Sequence, residues 1–165
     1  MKSQLLSIAL LSFLFFGCSD NVEFNNPAMQ ANFEGSTWKA DYFAADIDFG
    51  GFLVEGGRGI EIVQLITTDD TRGVYELGPE SGSIAIYRAP DGTVYSTTNM
   101  PDPSISVYPP EGIIEVEDID NADPKRIEGT FRFTAYSEDG LRSVNFISGV
   151  FYKVSLVGGL LAIED

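Results

Sequence analysis

The sequence predicts an all-β fold, an antiparallel β-sandwich of about 10–12 short strands, with a closed calycin-like barrel as the alternative closure. Three observations carry it. No stretch after residue 28 sustains a 3.6-residue apolar period. The apolar runs are short and rich in Val, Ile, Thr, Tyr and Phe. Between them, 17 Gly and 8 Pro punctuate the chain at the density that many tight turns require.

In chain order, Met29 to Glu34 reads as a first strand, turned by Gly35-Ser36 into a second over Thr37 to Phe43. Phe49 to Val54 is a weaker run. Ile60 to Thr67 is apolar on both alternating faces, which predicts a central strand covered on both sides. Val74 to Leu77 follows, and then Ser83 to Arg88 meets Ala-Pro-Asp-Gly, a hairpin signal that returns as Thr93 to Thr97. Ser104 to Tyr108 reads as a further strand ended by Pro109-Pro110. Gly112 to Asp118, Ile127 to Tyr136 and Ser143 to Leu156 complete the set. In the second of these, Phe131, Phe133 and Ala135 share one face while Arg132 and Thr134 share the other. Gly149 inside the last run predicts a bulge or bend.

Composition excludes several function classes. The 25 acids outnumber the 10 Lys and Arg, for a net charge of −15, and such a surface repels nucleic acid. With no His, Ser-His-Asp and Cys-His catalysis and the usual zinc sites are closed. Gly50 to Gly59 has glycines but neither the Lys-Ser/Thr of a phosphate loop nor a helix after it. Carboxylate chemistry, calcium or plain binding remain. Asp118, Asp120, Asn121 and Asp123 are oxygen donors of the calcium type, but a twelve-residue calcium loop counted from Asp118 would put Asp123 where Gly belongs and Gly129 where Glu belongs. A solvated turn between two strands is the plainer explanation, so no metal and no cofactor is expected. Tyr87, Tyr95 and Tyr108 could stack on sugar, although strand aromatics more often face a core.

The start of the chain gives an address. Leu5 to Phe16 is interrupted only by Ser7 and Ser12. As a helix it would span about 18 Å, short of the ~30 Å bilayer core and suited to a signal-peptide apolar region. Gly17 then precedes Cys18, the one cysteine. This resembles the lipobox of bacterial lipoproteins, with Phe15 and Phe16 standing where that pattern usually has Leu and a small residue. The resemblance implies cleavage between Gly17 and Cys18 and a lipidated Cys18. Two or more acyl chains anchor stably where one is marginal. The leader over 1–17 contains one cation, Lys2, and no acid, so its removal leaves a still more acidic protein. Residues 18–28 read as lipidated Cys and polar tether, whose ten residues from Ser19 reach at most about 35 Å. The all-β domain follows over 29–157 and a C-terminal tail over 158–165.

Several segments, taken in order, also carry a family likeness: "MQANFEGSTWKAD", "GVYELG", "GIIEVEDID", "IEGTFRFTAYS" and "ISGVFYKVSL". They resemble a family of Bacteroidota lipoproteins known only as a domain of unknown function, over about residues 29–157. That family commonly has Asn-Gly where Ser148-Gly149 stands here. The resemblance implies a lipid-anchored β domain and supplies no catalytic residue. The expectation is therefore a non-enzymatic binding or structural domain of the cell envelope. It would be held at the outer membrane through Cys18, with envelope proteins or glycans as partners and no nucleic acid. The alternatives are a small barrel carrying a hydrophobic ligand, or an Asp/Glu-dependent glycan hydrolase.

Overall fold

The computed structural model describes residues 28–47 and 50–164. Gly17, Cys18 and the tether as far as Pro27 lie outside them, as does Phe49 at the expected start of a strand. All regular structure among the described residues is strand: β1 (Met29–Phe33), β2 (Ser36–Lys39), β3 (Tyr42–Asp46), β4 (Leu53–Arg58), β5 (Glu61–Ile66), β6 (Gly73–Leu77), β7 (Ile84–Arg88), β8 (Val94–Ser96), β9 (Glu111–Asp120), β10 (Arg126–Ser137) and β11 (Ser143–Ser155). Every pairing between these strands is antiparallel, in the order β2-β1-β11-β10-β8-β7-β5-β4-β3, with β9 and β6 branching from β10.

Two corners curl this sheet into facing halves. Along β10, residues 126–134 pair with β9, after which Tyr136 and Ser137 pair with β8, while the other edge stays on β11. At the second corner, the expected strand over Thr37 to Phe43 is broken at Ala40-Asp41. Its first part pairs with β1 and its second with β4. The break keeps its hydrogen bonds, since Ala40 N–H donates to Met29 O (3.0 Å) and Asp41 N–H to Gly57 O (2.6 Å). A bridge between Ala45 and Leu156 brings the far edge of the sheet back to the end of β11. The architecture is one curled antiparallel sheet, a half-barrel consistent with either closure that the sequence allows.

Three further expected strands change. The Phe49–Val54 run becomes β4, shifted forward to include the glycines as far as Arg58. These positions have no room for side chains: a Cβ on Gly57 would collide with the Tyr42 ring, and one on Gly56 with Met29. Ser104–Tyr108 is not a strand but part of the loop 97–110. Gly112–Asp118 extends at both ends into β9, so that Asp120 is still paired, opposite Arg126.

The core is aromatic. Phe146 stacks on Phe33 (ring centroids 4.5 Å) and on Phe133 (4.8 Å), and meets Trp38 edge-on (6.0 Å). Tyr87 from the opposite half reaches Phe146 at 5.2 Å and Phe33 at 5.1 Å. Such pairs contribute about 0.5–1.5 kcal/mol each beyond area burial. Glycines make room for the rings: Phe133 stands opposite Gly112, Phe131 opposite Gly149 and Phe151 opposite Gly129. A Cβ on Gly129 or Gly149 would come within 2.6 Å of the facing ring. Phe131, Phe133 and Ala135 point inward and Arg132 outward, as the alternation predicts. The bulge expected at Gly149 is present. Phe131 faces Gly149 but Phe133 faces Phe146, which leaves Ile147 and Ser148 against Arg132 alone, with Ser148 in the left-handed region (φ 51°).

Candidate functional site

The two ends of the molecule differ. β1 starts opposite Phe151, and Tyr152 N–H donates to Ala28 O (2.7 Å), so Ala28 lies toward the end where β9 and β10 are joined by residues 121–125. The β10–β11 turn lies at the other end, near Ser143 and Tyr136. Against that turn packs the 97–110 loop, through Asp102 N–H to Gly140 O (3.0 Å).

This loop is long for a β connection, and loops of that length are commonly functional. It is tightly specified. Asp102 closes a turn by accepting from Ser104 N–H (2.8 Å) on its carboxylate and from Ile105 N–H (3.0 Å) on its carbonyl. Hydrogen bonding of Asp102 to Ser104 holds this carboxyl below its usual range. The Tyr136 hydroxyl donates to Tyr108 O (3.0 Å) and lies 3.1 Å from Ser106 Oγ, while Asn99 Nδ2 donates to Tyr136 O (2.9 Å). Pro101, Pro103, Pro109 and Pro110 restrict the backbone further. Yet the apolar side chains that this frame holds point to water. Val107 is 82% exposed and Tyr108 76%, with Met100, Ile105 and, on the neighbouring turn, Leu141 also exposed. An ordered loop that displays a cluster of apolar groups has already met the ordering cost of binding and keeps its contact area unused.

Beside the patch is a polar groove of about 490 Å³, lined by Thr93, Asn99, Ser137, Asp139, Arg142 and Glu164 among others. Arg142 is held by Asp91 (3.2 Å) and Thr93 Oγ1 (2.8 Å), with its guanidinium 5.8 Å from the Tyr95 ring centre. The Asp139 carboxyl is held below its usual range by hydrogen bonds from Ser137 and the Leu141 backbone. Asp102, Glu111, Glu138 and Asp139 lie on or beside the loop and the turn, and Arg142 on the groove side is paired with Asp91, so acids outnumber bases at this end.

A second polar cluster lies toward the core. Glu61, only 8% exposed, accepts from Arg58 Nε (2.6 Å), the Tyr87 hydroxyl (3.0 Å) and Trp38 Nε1 (3.2 Å). Burial alone would raise this carboxyl, but the three donors together hold it below its ordinary range. Burial first, and then the Glu61 carboxylate, push the Tyr87 hydroxyl well up. All three donors are fixed to one acceptor, so the arrangement closes the core.

The sequence-predicted donors separate. Asp118 and Asp120 lie on β9, not in a loop. Asp118 pairs with Arg72 (2.8 Å), and Asp120 accepts from Ala122 N–H (3.1 Å) to form the turn. Asn121 and Asp123 are exposed in that turn, Asp123 just before Pro124. Among the described residues no group of three or more His, Cys, Asp or Glu is placed to hold a metal ion. Of the three tyrosines, Tyr87 and Tyr95 are core and Tyr108 stands in the open. The exposed loop was hidden in the sequence by a strand-like run. The four prolines around that run were the available sign, because they remove the donors that a ladder needs.

No curated protein matches the chain, and no solved structure matches it. A family model described as a domain of unknown function (DUF6252) matches residues 25–155, from before β1 to the end of β11. The chain therefore belongs to the DUF6252 family, and its all-β sheet with the exposed 97–110 loop is a structure for that domain.

Proposed function

We propose that this protein is a lipid-anchored, non-enzymatic binding domain of the cell envelope. Cys18 attaches it to the outer membrane, and the 97–110 loop engages a protein partner. The observation that carries the reading is the rigid, exposed apolar loop at the end remote from Ala28. With a tether at Ala28, that end is turned away from the anchoring surface. The excess of acids there selects a partner whose apolar face is bordered by Lys or Arg. The centre of the molecule, where a lipid carrier would keep space for its ligand, is taken by Phe33, Phe133, Phe146 and Tyr87, which favours a binding surface over an internal site. The anchor is tested by metabolic labelling with a fatty acid: Cys18→Ala should lose the label and accumulate as unprocessed precursor. Continued labelling of that variant refutes the anchor.

A further inference from the structure

Residues 157–164 cross the outer face of β4, β5 and β7 as a strap. Val157 N–H donates to Ala45 O (2.9 Å) and Leu160 N–H to Asp46 Oδ2 (3.0 Å). Gln64 then grips the strap with both ends of its amide: Nε2 donates to Leu161 O (2.8 Å) and Oε1 accepts from Ile163 N–H (2.8 Å). Gln64 is 0% exposed, and Glu55 fixes the orientation of its amide by accepting from Nε2 at 2.5 Å. An acceptor and a donor two residues apart on one extended segment is what an adjacent β-strand would offer, and here one buried side chain reads it.

The side chains follow the backbone into contact only in part, Leu160 and Ile163 being half-buried. Val157 and Leu161 are exposed, and a hollow of about 600 Å³ remains between the strap and a floor that includes Glu55, Ile62, Arg88 and Val94. The strap is thus held chiefly by hydrogen bonds to its main chain, with apolar packing limited to the half-buried Leu160 and Ile163. It hinges on Gly158 and Gly159, both at positive φ (70° and 78°), where the backbone turns out of β11. A segment bound in this way gives up its place to one that also fills the hollow.

We propose that this face is a binding site for an extended apolar peptide segment of a partner protein, recognised through Gln64 and Asp46, and that the strap is its resident occupant. The site is independent of the 97–110 loop. The test titrates nitrogen-15-labelled full chain with an unlabelled peptide carrying residues 157–164, following the Ile62 and Val94 amide signals. Leu160→Pro removes the strap N–H that binds Asp46 without touching the sheet, and should bind the peptide at least tenfold more tightly than the unaltered chain. Adding Gln64→Ala to it should abolish the response. If that double variant does not fold, the comparison of Leu160→Pro with the unaltered chain decides alone. Unmoved Ile62 and Val94 signals in Leu160→Pro, or equal affinity with and without the substitution, overturn the proposal. So does a concentration-dependent dimer that the peptide does not compete with, which would make a second copy the occupant.

Discussion

The β9–β10–β11 half of the sheet and the 97–110 loop use the same kinds of side chain to opposite ends. Both are well ordered by hydrogen bonds. In the sheet, each of Phe131, Phe133 and Phe151 faces a glycine and is covered by neighbours. In the loop, Ile105, Val107 and Tyr108 stand on a hydrogen-bonded frame and are left half or more exposed. Order in the sheet follows from burial. Order in the loop comes from polar contacts and proline, which leaves the apolar groups exposed. The difference separates residues that hold the fold from residues that the fold holds out.

Four substitutions probe that division, in falling order of effect on stability. Phe133→Ala should cost about 3–5 kcal/mol in chemical denaturation, because it opens a cavity in the stacked core; a loss below about 1 kcal/mol would mean that the ring stack does not hold the halves together. Glu61→Gln should cost about 1–3 kcal/mol near neutral pH, since it weakens an acceptor shared by the buried Trp38 and Tyr87 and the part-exposed Arg58. Its pH dependence has a definite sign. A carboxyl held below its unfolded value of 4.5 adds stability that is complete above that value and is lost as pH falls through the lower folded value. The gap between the unaltered chain and Glu61→Gln should therefore narrow below about pH 4.5, and a gap that widens there contradicts the assignment. Ser148→Asn should stabilise by about 0.5 kcal/mol, because Asn tolerates the left-handed backbone better than Ser. An unchanged or lowered melting temperature would show that the bulge strain lies elsewhere. Val107→Ser should leave stability within about 0.5 kcal/mol, and a larger loss would move the loop into the structural half of the comparison.

Much of the fold was legible in local chemistry. The alternation in Thr130 to Tyr136 set which face of β10 is buried, and Asp91-Gly92 marked the β7–β8 hairpin, where Gly92 N–H donates to Ala89 O (3.0 Å). The break at Ala40-Asp41 was not legible, since the residues suit a strand throughout and only the meeting of two sheet halves bends them. The glycines of β4 read as loop because a sequence does not show that Tyr42 and Met29 will fill their space. The loop site was missed for a related reason. Ser104 to Tyr108 has strand composition, and its exposure depends on Tyr136 and Gly140, which come about 30 residues later. The Gln64 clamp depends on residues 97 and 99 positions away and had no local sign.

Site-specific photo-crosslinking in intact cells tests whether the loop end is the surface turned to a partner. A photoreactive residue in place of Val107 should yield one discrete adduct with an envelope protein, while the same residue at the exposed Ile147 on β11 should yield none. Equal labelling from both positions, or no adduct from Val107, would contradict it.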